Sequence, residues 1–198
     1  LTALWAFYAA ILTWLSFKLR TQPLRFFAYA VFVIVAIWLV FFDTPVNTRT
    51  FRPVLNGRFV AFLVSIAAVY VAAYLLRRYR ESLREWEQAD WPMYSSFLVA
   101  ASFFSLWLLS AEVINYFDSR ISALTPREQF EAVGRGLRNA KNLSLTALWA
   151  FYAAIFLVIG IANRSRRVRL AALTLLAIPI AKVFVYDVFA LERGYRIG

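Results

Sequence analysis

Neither cysteine nor histidine occurs in this chain of 198 residues, and the two absences remove whole classes of chemistry. Disulfides, thiolate nucleophiles, zinc sites of the usual kinds and histidine-ligated haem or chlorophyll are excluded from this stretch. Acidic side chains are scarce as well, with 11 Asp and Glu against 22 Lys and Arg. Charged residues reach only 17%, where a soluble domain carries roughly a quarter. No catalytic, metal or nucleotide motif stands out, so no cofactor is expected and an enzyme is the weaker expectation. The opening run has neither a charged leader nor a small-residue cleavage site, so no signal peptide can be argued from it.

What the chain does have is apolar length. Hydrophobic residues make up 62% and aromatics 18%. A formal charge of +11 could point to nucleic acid if the basic residues formed a surface stripe. They cluster instead at the ends of apolar runs: Lys18, Arg20 and Arg25 in one turn, Arg77, Arg78, Arg80 and Arg84 in another, and Arg164, Arg166, Arg167 and Arg169 in a third. Flanks of this kind orient helices in a membrane and meet anionic lipid headgroups. The expected partners are therefore the bilayer and its anionic headgroups, with other membrane subunits or a second copy also open, and not nucleic acid.

Apolar runs of this length can cover a hydrocarbon core of roughly 30 Å only as helices, which satisfy their own peptide groups. The sequence predicts an all-α, polytopic integral membrane protein with six spans, at about 2–17, 25–42, 58–76, 94–116, 145–162 and 168–186. The segment Leu1–Ile11 recurs letter for letter at Leu145–Ile155, and the frame continues through Arg20/Arg164, Arg25/Arg169, Ala28/Ala172, Ile34/Ile178 and Asp43/Asp187. Identity drops abruptly after the exact copy, so a recent duplication and an assembled sequence both fit. The pattern predicts a first unit of four spans at 1–144, with an interfacial helix near 126–140, and the start of a second unit at 145–198. An even number of spans per unit makes the repeat parallel. The chain reads as a fragment of a longer protein.

The first, third and fifth connections are short and basic, which places them in the cytoplasm and both termini outside. Thr125-Pro126-Arg127-Glu128 has the form of a capping box and predicts a helix start there. The stretch 77–90, with Arg80/Arg84 and Glu81/Glu85 four apart, is expected to continue the third helix into the cytoplasm.

Ala147-Leu148-Trp149-Ala150-Phe151-Tyr152, Arg169-Leu170, Lys182-Val183-Phe184-Val185-Tyr186-Asp187 and Tyr195-Arg196-Ile197 together resemble the large bacterial predicted membrane proteins grouped as domain of unknown function 2339. Leu55-Asn56-Gly57-Arg58-Phe59 fits the same pattern at the start of a span. The resemblance implies a bacterial inner-membrane location and a longer parent chain, and it implies no reaction.

Ionisable residues inside a span are costly and mark function by default. Two fall clearly inside: Glu112 in the fourth span and Lys182 in the sixth. Asp43 and Asp187 end the second and sixth spans on the same expected side, with Asn115, Asn47 and Arg49 near that layer. One reading joins Lys182 to Glu112 or Asp187 in a polar cluster near the outer leaflet, lining a cavity for an ion, a headgroup or a solute. The other lets Lys182 snorkel to the headgroups while Glu112 meets water or protonates. Asp118, Glu128, Glu131 and Arg120 could serve a membrane transferase, but their spacing is that of an ordinary loop. A structural or scaffolding membrane protein that binds lipid or partner subunits is the first expectation. A transporter or channel-like module is the alternative.

Overall fold

The computed structural model describes residues 1–42, 56–83, 93–125, 132–162, 166, 168–170, 172–177 and 180–181. Its ordered elements are helices: α1 (Thr2–Lys18), α2 (Gln22–Phe41), α3 (Gly57–Arg78), a 3-10 turn at Arg80–Ser82, α4 (Met93–Ser122) and α5 (Ala132–Ala162). Among the described residues, α2, α3, α4 and α5 are long and apolar enough to cross a membrane. At 17 residues α1 is shorter, about 26 Å by helical rise. Past α5, helical residues are described at 168–170 and 172–177. The chain divides at Ala123 into two units.

In the first unit α1 packs on α2 and on α3, α3 packs on α4, and α2 touches α3 only slightly. Phe97 of α4 closes the ring, with its centroid 5.5 Å from Tyr29 and 5.3 Å from Phe32, both on α2. The four helices thus run around the unit in the order α1, α2, α4, α3. Alanine fills the closest positions: Ala6 and Ala9 in α1, Ala72 in α3 and Ala101 in α4 have no exposed surface. Such residues let backbones approach where lipid gives helices no hydrophobic reason to associate. Larger wedges, among them Phe62, Leu39 and Leu76, complete the interior. Buried hydroxyls turn inward on their own helices, as Thr13 donates to the Ala9 carbonyl at 2.9 Å and Ser65 to that of Ala61 at 2.8 Å. These two hydroxyls then need no partner from another helix or from lipid.

Two helix ends differ from expectation. The helix expected to run on through 77–90 stops at Arg78; Tyr79 leaves helical geometry and stacks on Phe17 of α1 at 5.0 Å, and Leu83 is buried in the core. Packing of these two side chains takes the place of a further helical turn, overriding the charge pairs four apart, and residues 84–90 lie outside those described. The interfacial helix and the fifth span, expected as separate pieces, are one helix of 31 residues. Its only candidate breaks, Gly134 and Gly136, fall within its first turns, and the run from Leu137 onward contains no proline or glycine until Gly160. The capping-box residues after Thr125 lie outside those described.

The turn between α1 and α2 takes only three residues. Thr21 N–H reaches the Ser16 carbonyl at 3.0 Å and Arg20 N–H that of Phe17 at 3.3 Å. This is a Schellman closure, which needs a left-handed residue and usually uses glycine. Here Arg20 occupies that position at φ 53°. Pro23 then sits in the first turn of α2, where its missing N–H leaves no helical bond unmade.

In the second unit, described by itself, α5 leaves most of its surface open. Ala153 and Gly160 are buried. Gly160 faces the start of the next helical stretch so closely that an added Cβ would lie 2.9 Å from the Arg169 backbone nitrogen and 2.8 Å from its Cγ.

Candidate functional site

A polar corner stands at the start of α3, built from Asn56, Arg58 and Glu112. Asn56 caps α3: its Oδ1 accepts from Phe59 N–H at 2.7 Å, meeting one of the amides that a helix start leaves unsatisfied. Gly57 and Arg58 open the first turn. From α4, Glu112 comes to the same level, where Arg58 Nη2 and Asn56 Nδ2 both donate to Glu112 Oε1, the latter at 3.3 Å. The pair is largely withdrawn from solvent, with 8% of the Arg58 side chain and 11% of the Glu112 side chain exposed. The carboxylate also lies at the positive end of the α3 peptide dipoles, a placement that favours negative charge. Neutralisation is thus supplied from three directions, by the guanidinium, the side-chain amide and the helix start.

Of the residues expected in a polar cluster, Glu112 and Asn115 are described. Asn115 is half-buried and three residues along the same face of α4. Lys182, Asp187 and Asp43 lie outside the described residues, as do Asn47 and Arg49. Sequence reasoning joins Lys182 to Glu112 or Asp187 and gives Arg58 and Asn56 no role beyond their place in a family-like segment at the start of a span. A signal was available in Asn-Gly-Arg-Phe ahead of an apolar run: it reads as a cap with a cation in the first turn, at the end where the following span carries its one acid.

The opposite end of the first unit is basic. Lys18 and Arg20 are exposed at the α1–α2 turn, and Arg77, Arg78 and Arg80 at the end of α3. The Phe17–Tyr79 stack holds these two turns side by side. Lys18 Nζ lies 5.1 Å over the Trp14 ring and Arg78 donates to the Tyr74 hydroxyl at 2.9 Å. Arg25, grouped with the headgroup residues by sequence, is 4% exposed, with its guanidinium 5.2 Å over the face of Phe17. It falls in the first turn of α2 because the helix begins at Gln22, three residues earlier than hydropathy suggested. In the second unit Arg166 and Arg169 are exposed, while Arg164 and Arg167 lie outside the described residues. Among the described residues no three acidic side chains gather as a metal site would require.

The family model described as Predicted membrane protein (DUF2339) matches residues 44–198. No curated protein and no solved structure matches the chain.

Proposed function

Because the chain belongs to this family of predicted membrane proteins, we propose that it is a multi-pass structural unit of the bacterial inner membrane, one that binds lipid and partner helices instead of converting or carrying a substrate. The observation that carries this reading is the Arg58–Glu112 pair. Its charges are spent on each other, on the cap residue Asn56 and on the α3 helix start, an arrangement suited to fastening α3 to α4. The interior between the helices is filled by alanine, leucine and phenylalanine, and the outward faces carry large apolar side chains such as Phe7, Val33, Ile34 and Phe103. Such faces suit acyl chains and neighbouring helices.

The test is reconstitution in sealed vesicles loaded with potassium- and pH-sensitive dyes. The wild-type chain and Glu112→Gln are expected to leave ion leakage at the level of protein-free vesicles, while the substitution lowers the unfolding midpoint. Ion flux that depends on Glu112 in a normally folded protein would replace this reading with a transporter-like module.

A further inference from the structure

The α1–α2 turn combines features that fit a particular lipid. A shallow groove lined by Gln22, Pro23, Phe26 and Phe27 opens at the first turns of α2. Both phenylalanines are about half exposed, and they descend from the turn towards the apolar middle of the helix. Lys18 and Arg20 are exposed four and two residues before Gln22 in the same turn, and no acidic residue occurs anywhere in positions 1–42 to compete for them within these two helices. The basic end as a whole sets Lys18, Arg20, Arg77, Arg78 and Arg80 at the surface against Glu81 among its described residues. Arg20 also holds a left-handed backbone position in which glycine would be free of strain; a charged side chain stands where local folding asks for none.

Building on the proposed structural role, we infer that this turn seats one anionic phospholipid of the cytoplasmic leaflet, with its phosphate against Lys18 and Arg20 and its acyl chains along Phe26 and Phe27. Charge complementarity selects the headgroup. The groove selects a molecule that has a tail as well as a phosphate, and Gln22 at its rim offers an amide to the glycerol oxygens.

Native mass spectrometry of the detergent-purified full chain tests this, with phosphatidylglycerol and phosphatidylcholine of identical acyl chains added in equal amounts. One phosphatidylglycerol is expected to be retained in preference. Arg20→Gly should reduce that retention about fivefold, the contribution of one cation near an anionic surface, while the unfolding midpoint stays level or rises. Phe26→Ser with Phe27→Ser should reduce retention of both lipids, and sn-glycerol 3-phosphate, which has the phosphate without tails, should displace neither. Equal retention of the two lipids by the wild type, undiminished phosphatidylglycerol binding by Arg20→Gly, or displacement by glycerol phosphate would each overturn the inference. Failure here, with silent vesicles, leaves the structural role standing; flux in the vesicles removes that role whatever lipid is retained.

Discussion

Arg58 of α3 donates to Glu112 of α4 across 54 positions of sequence, and Asn56 donates to the same carboxylate oxygen. This corner is where two helices that share an apolar interface acquire a fixed vertical alignment, since sliding either by one turn would part the charges by about 5 Å.

Removing one member should therefore be worse than removing both. Glu112→Leu leaves a guanidinium without its counter-charge and is expected to lower stability by about 3–5 kcal/mol, whereas Arg58→Leu combined with Glu112→Leu should recover most of that loss. Unfolding of the purified chain in detergent, titrated with dodecyl sulfate, gives both values. A double variant weaker than either single one would contradict the assigned pairing.

Asn56 serves the helix start and the carboxylate together, and substitutions separate the two roles. Asn56→Ala should cost about 1–2 kcal/mol as a lost cap. Asn56→Asp retains the capping oxygen but sets a second negative charge beside Glu112, so it should destabilise at neutral pH and recover as the medium is acidified. The pH dependence of the same dodecyl sulfate midpoint reads this directly.

Two glycines of α5 should respond in opposite directions to the same change. A Cβ at Gly136 meets nothing within 4 Å, so Gly136→Ala is expected to add up to about 1 kcal/mol through helix propensity. At Gly160 the new methyl would meet the backbone of Arg169, and overpacking of this kind removes about 1–3 kcal/mol. Thermal denaturation of the two variants side by side should give shifts of opposite sign.

The absence of native thiols makes orientation measurable. Single cysteines at Arg80 and at Lys141 should be labelled by an impermeant maleimide from opposite faces of sealed vesicles, with Arg80→Cys reached from the cytoplasmic side. Labelling of both from one face would refute the arrangement.

The helical class of the chain was legible because apolar runs of span length have one way to satisfy their peptide groups in lipid. The α3 start was legible too, since hydropathy sets it near 58 and the helix begins at Gly57, although the capping role of Asn56 went unread. The partner of Glu112 was not, because register between spans depends on where each helix begins, and hydropathy locates ends only to within a turn. The same uncertainty hid Arg25: moving the start of α2 to Gln22 turned a loop cation into a first-turn residue packed over Phe17. The break expected before Leu145 followed from span length and hydropathy, whereas helix formation answers to local chemistry, and residues 137–145 contain nothing that interrupts it.

An uninterrupted α5 has a mechanical corollary. From Ala132 to Ala162 it is a rod of about 46 Å, half again as long as the hydrocarbon layer is thick. Its basic first turns must either rise clear of the oily layer or lean over within it. Without a joint along the shaft, a lean of about ten degrees would carry the far tip sideways by about 8 Å, and Arg135 and Arg138 in its first turns would move as one piece with the rest of the helix.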